Sequence, residues 1–156
     1  EKGVDLLIDA WNLIKDKNFL KGKKLVISGN IPSNFLINID KKDIVNINRF
    51  LTDFEYKSLI ENAFCVILPY TRGTNSGIPS SVLTLRTKLI TSSIDMFKNN
   101  QLIDHRFTFE SENCDQLAEV IKKSCSLSYD YSLVDKYNNI FTEEVLKVYH
   151  NEFSAN

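Results

Sequence analysis

The sequence predicts an α/β domain, a Rossmann-like, doubly wound parallel sheet with helices on both faces. Three observations carry this. Helical stripes alternate with short runs that are apolar throughout, as in strands buried on both faces. The runs stop at Gly, Pro or Ser, and helix-start signals follow them. The 156 residues are 43% hydrophobic and 25% charged, with 10 Phe, 6 Tyr and 1 Trp. That composition supplies one buried core and is too aromatic for a solvated coil.

The elements follow in order. Val4, Leu7, Ile8, Trp11 and Ile14 form the stripe of an amphipathic helix, with Asp5, Asp9 and Asn12 on the other side. Lys24 to Gly29 reads as a buried strand running into a turn. Pro32-Ser33 can open a short helix through about Ile39, and Ile44-Val45-Asn46-Ile47 gives a second strand. Thr52-Asp53-Phe54-Glu55 fits a capping box, with Tyr56, Leu59, Ile60 and Ala63 as the stripe behind it. Phe64 to Leu68 is the strongest strand signal, stopped by Pro69, and residues 70–77 read as a loop. Residues 78–86 suit a helix with Pro79 in its first turn. Lys88 to Thr91 and Phe107 to Phe109 complete the strands. Asn113 with Gln116 is a second capping-box candidate, ahead of Leu117, Ala118 and Ile121. A last helix runs from about Leu133 to Glu152, with Val134, Tyr137, Phe141, Val145 and Val148 expected inward. No internal repeat or charge block interrupts this single domain.

Composition excludes several functions. With 19 Lys+Arg against 20 Asp+Glu the net charge is -1, without the basic footprint of a dedicated nucleic-acid binder. No run of about 18 apolar residues occurs to span a membrane. The chain opens Glu1-Lys2-Gly3 into a helical pattern, without a signal peptide or starting Met, and is expected to be a piece of a longer protein. Cys65, Cys114 and Cys125 are far apart and form no CxxC pair, and His105 and His150 have no ligand spacing. No metal site and no disulfide framework are expected, and a reduced, cytoplasmic setting fits.

In a doubly wound sheet, ligands lie beyond the carboxyl ends of the strands. The residues placed there are Gly29-Asn30, Phe50-Leu51-Thr52, Pro69 to Gly77 and Ser92-Ser93. The richest stretch is Pro69 to Ser81, which follows the strongest strand and opens a helix. Helix-start amides favour an anion such as phosphate. Ser76, Ser80 and Ser81 add hydroxyls, Gly77 permits close backbone approach, and Pro79 removes one amide. The same residues also suit a capped surface turn. Neither a GxGxxG, a GxxxxGK[ST] nor a catalytic triad is present, so the catalytic residues remain unassigned.

The ordered series resembles the C-terminal, donor-binding domain of GT-B glycosyltransferases of the group 1 class (glycosyltransferase family 4). Lys2-Gly3-Val4-Asp5 matches its Lys-Gly-Val-Asp helix opening, and Lys24 to Gly29 its strand ending in Gly. Phe64 to Pro69 matches its apolar strand ending in Pro, and Ser76-Gly77-Ile78-Pro79 its Gly-containing loop. The resemblance implies the C-terminal half of a GT-B fold and transfer of a sugar from a nucleotide-diphosphate sugar to a glycan or lipid-linked acceptor, as in polysaccharide biosynthesis. It implies retention, no metal, and no cofactor beyond the donor itself. By resemblance, the donor-binding residues are Lys2, Ser76, Gly77, Ile78 and Ser80, with Leu51 and Thr52 beside the base. Two family glutamates align with Thr74 and Val82. The family's opening strand and its N-terminal acceptor domain lie outside this chain. That domain is the implied partner and the implied route to any peripheral membrane contact. The piece alone is expected to be inactive, and its open sheet edge would favour self-association. The alternatives are a sugar-nucleotide epimerase and a degenerate transferase-like module with a binding or scaffolding role.

Overall fold

The computed structural model describes residues 2–14, 18–30, 42–73 and 75–153. Helix α1 (Val4–Leu13) buries Leu7, Ile8, Ala10 and Trp11, the face its stripe predicts. It starts at Gly3, whose carbonyl accepts the Leu7 N–H at 3.0 Å. Gly3 has φ +66°, and a Cβ built there would lie 1.9 Å from the Pro69 carbonyl oxygen. Two requirements therefore select glycine, a left-handed backbone and a contact too close for any side chain.

A 3-10 turn at Asn18–Leu20 leads to strand β1 (Leu25–Ser28), which pairs in parallel with β2 (Ile44–Ile47) from Leu25↔Ile44 to Ser28↔Ile47. The short helix expected after Pro32 falls in 31–41, outside the described residues. Helix α2 (Asp53–Asn62) opens with the complete capping box expected of Thr52 and Glu55. Strand β3 (Cys65–Leu68), helix α3 (Ile78–Thr84) and strand β4 (Lys88–Ser92) follow. A single turn, α4 (Asp95–Lys98), and a 3-10 turn at His105–Phe107 lead to β5 (Thr108–Phe109). Phe107 thus lies ahead of the strand it was assigned to. Helices α5 (Cys114–Ser124) and α6 (Ser132–Phe153) close the chain. The second capping box forms only in half. The Asn113 side chain accepts from Gln116 N–H, but the Gln116 side chain accepts from Glu110 N–H instead of reaching back.

Every described strand pairing is parallel, as an α/β fold requires. The pairings form two small sheets, β1-β2 and β3-β4-β5, where one continuous sheet was expected. Both sheets contribute to one apolar core, joining Leu25, Ile27 and Ile44 to Leu68, Leu89, Ile90 and Phe109. α1 packs beside α5 over this core. Lys88 reaches under α5, its ammonium donating to the Ser124 and Leu127 carbonyls at 2.7 Å each. The Ser124 oxygen lies at the helix end that α-helical bonding leaves unsatisfied, and Leu127 follows just beyond it.

One expectation fails on α6. Val134 is buried, but Tyr137 and Phe141 are 58% and 59% exposed. Periodicity marks an apolar face, and no described layer stands against this one. Among the described residues, no helix is long and apolar enough to cross a membrane.

Replacing Gly3 by alanine should destabilise the fold by about 2 kcal/mol or more, since overpacking and a left-handed backbone add. Urea unfolding of Gly3→Ala checks this, and a loss under about 0.5 kcal/mol would remove the close-contact argument.

Candidate functional site

The site is built on the carboxyl end of β3. Strand β3 stops at Pro69, and α1 begins directly against it through Gly3. This contact carries Lys2 to the start of the 70–77 loop, where its ammonium lies 3.9 Å from the centre of the Tyr70 ring. A cation over an aromatic face is held by the ring quadrupole. Tyr70 is itself buried against Phe97, with ring centres 5.5 Å apart. Its carbonyl accepts a 2.5 Å hydrogen bond from the Ser92 hydroxyl at the end of β4, and Ser92 is fully buried. Strand ends β3 and β4 therefore anchor the loop that Lys2 overhangs.

Helix α3 starts where the sequence places it, with Pro79 in the first turn. The Ser76 hydroxyl accepts from Ile78 N–H at 3.4 Å. The Ser81 hydroxyl donates back to the Gly77 carbonyl. Ile78 N–H is thus engaged, Pro79 has none, and Ser80, which is exposed, offers the remaining first-turn amide. Gly77 leaves open space beside the loop. Its φ is ordinary for any residue (-77°), and an added Cβ would meet nothing within 4 Å. The fold does not require glycine there, and its openness faces free space. Val82, aligned with a family glutamate, is completely buried in the core. Thr74, aligned with the other, lies outside the described residues.

Leu51 and Thr52 stand at the carboxyl end of β2, on the other sheet from Lys2 and Ser76 to Ser80. The Thr52 hydroxyl is spent on capping α2. Glu55 also receives a two-pronged contact from Arg49, at 2.9 and 2.6 Å. Sequence reasoning finds the cap but misses Arg49, because a six-residue separation across a turn has no periodic signature. This rigid turn holds Phe50 and Phe54 outward, 84% and 80% exposed. The Arg49 fork, followed by the Thr52 amide and hydroxyl, pulls the Glu55 carboxyl down from 4.5 to about 2.

Two concavities lie away from the loop. One, about 750 Å³, runs along α5 past Gln116, Glu119 and Lys123, and another, about 420 Å³, sits at the amino ends of β3 and β4 by Phe64, Arg86 and Tyr131. Cys65 is half-buried and its thiol is pushed up to about 12 by burial, which keeps it in the unreactive thiol form. No known family model and no curated protein matches this chain.

Two outcomes test the geometry. Ser92→Ala strands the Tyr70 carbonyl in the interior and should cost about 1–3 kcal/mol by chemical denaturation. Glu55 should titrate near 2 by carboxyl NMR. Because its folded value lies below its unfolded one, the pair stabilises the turn at pH above about 4.5, and that contribution disappears as pH falls toward 2. In Arg49→Ala the Glu55 midpoint should rise toward the ordinary range, and an unchanged midpoint would show that Arg49 does not hold it.

Proposed function

We propose that the chain is the donor-binding domain of a glycosyltransferase, taking a nucleotide-diphosphate sugar at the carboxyl end of β3. The observation that carries this reading is the convergence of Lys2 with the Pro69–Gly77 loop through the Gly3–Pro69 contact. In this reading the Lys2 ammonium and the Ser80 amide meet the diphosphate, with the Ser76 and Ser80 hydroxyls beside it. The bond between the sugar's anomeric carbon and the diphosphate oxygen breaks, and an acceptor oxygen takes the sugar. Negative charge grows on the departing nucleoside diphosphate. A fixed ammonium and oriented amides stabilise that charge more in the transition state than in the ground state. The acceptor and the groups that handle its proton belong to a second domain, so the proposed activity is that of the two domains together. In this reading Leu51 stands beside the base, while the Thr52 amide and hydroxyl are already engaged with Glu55.

A degenerate, non-catalytic module is favoured by one observation, the burial of Val82 where the family has a carboxylate. A buried valine cannot hydrogen-bond a ribose or sugar. Nucleotide binding separates the readings. Titration of the folded chain with UDP, GDP and ADP by calorimetry should show preference for one of them. Lys2→Ala should then weaken that binding about ten-fold or more, the scale of a charge-assisted contact. Gly77→Val should weaken it too while leaving the unfolding midpoint unchanged, because the added atoms enter open space. No binding of any of the three would transfer the assignment to the non-catalytic module.

A further inference from the structure

Helix α6 leaves the body of the domain after its first turn. That turn is well held. Val134 is buried, Arg86 binds Asp135 at 2.5 Å, and its guanidinium lies 5.7 Å from the centre of the Tyr131 ring. From Lys136 to Glu144 every residue is exposed, so the next turns meet solvent on all sides. Helical stability in proteins comes mostly from packing an apolar face, and a bare stretch of this length gains none. The stretch nevertheless carries such a face. Leu133, Tyr137, Ile140 and Phe141 are all exposed, and the helical repeat brings them within about 100° of one another around the axis.

The charges around that face say what fits it. Lys136 and Glu143 lie on one flank of the stripe, two turns apart, and Glu144 falls within the stripe. Among the described residues none of the three joins an ion pair. A lipid surface or a wholly apolar groove would strip water from Glu144 and offer it no counter-charge. A second α6 running antiparallel offers one. Twofold symmetry sets each flank of the stripe against the same flank of the other copy. With the axis beside Ile140, Tyr137 comes level with the partner's Phe141, and Lys136 with the partner's Glu143 and Glu144. Parallel pairing is opposed by the same charges, since it would set Lys136 against the partner's Lys136 and Glu143 against the partner's Glu143.

We propose that α6 is a dimerisation arm, and that two copies of this chain pair through it antiparallel. Leu133, Tyr137, Ile140 and Phe141 form the apolar seam. Lys136 of each copy is placed between the two glutamates of the other. The contact is self-complementary, so every favourable pair occurs twice. Two helices joined over about four turns bury on the order of 1,000 Å² in total, at the low end of specific interfaces. The dimer is therefore weak and exchanges with monomer, and its charges set orientation more than strength. Pairing through α6 leaves the loop beyond β3 untouched, so it stands apart from nucleotide binding.

The test is sedimentation velocity on the 156-residue chain, with NMR spectra over the same concentrations. A monomer–dimer equilibrium is expected, with a dissociation constant on the order of 100 μM for so small an interface. Shifts that depend on concentration should be confined to α6. Lys136→Glu should weaken the dimer about five-fold or more, and so should Glu143→Lys combined with Glu144→Lys, because each sets like charges together twice. All three substitutions in one chain reverse every sign and should return the affinity to within about three-fold of the parent. Ile140→Glu should leave a monomer. These positions are exposed, so none of the changes should move the unfolding midpoint. A chain that stays monomeric to several hundred micromolar (~5 times the expected constant) would overturn the proposal. Shifts centred outside α6 would overturn it in favour of another surface, such as a strand edge. A triple variant no tighter than Lys136→Glu would overturn the antiparallel pairing.

Discussion

The contact between Gly3 and the Pro69 carbonyl is the constraint from which the rest of the arrangement follows. A helix start and a strand end meet there with no room for a Cβ. The meeting fixes where α1 begins, and α1 fixes which residues of the first stripe face the shared core. It also decides that Lys2 overhangs Tyr70 and not open solvent. Ser92 completes the same corner from β4 by binding the Tyr70 carbonyl. One corner thus ties together α1, β3 and β4, with about fifty residues of chain between α1 and β3.

Much of the fold was legible because its signals are local. Continuous apolar runs give β1, β3 and β4. Thr52 and Glu55 give the start of α2, since both hydrogen bonds of a capping box lie within four residues. What failed was nonlocal. The stripe on α6 is real, but periodicity does not say whether anything stands opposite, and Tyr137 and Phe141 remain exposed. Gln116 has the spacing of a capping box, yet its side chain finds Glu110 N–H first. The break between the sheets is likewise a matter of pairing, which apolar runs do not encode.

At the candidate site the legible part was the position and the illegible part was the function of each residue. Lys2, Ser76 and Ser80 stand near the expected strand end, but Gly3 is the glycine that the backbone requires there, and Gly77 is not. Thr52 is the N-cap that its spacing to Glu55 predicts, with its hydroxyl engaged there. Val82 looked like a lost ligand and proves to be core. A carboxylate at that point would be buried without a partner, at a cost of several kcal/mol.

The balance of energies at Lys2 bears on what an ammonium in that place can do. Its cation–π contact with Tyr70 is worth about 0.5–1 kcal/mol at an exposed position. A charge-assisted hydrogen bond to an anion contributes about 1.5–3 kcal/mol. A ring contact of that size would not outweigh an anion bound at the proposed site. Tyr70 is buried, so its ring is a fixed platform beneath the ammonium. Lysine suits this better than arginine, because a compact charge on a flexible stem can leave one partner for the other, while a planar guanidinium would stack on the ring more firmly. Lys2 lies over Tyr70 because Gly3 allows the helix to start so close to the strand.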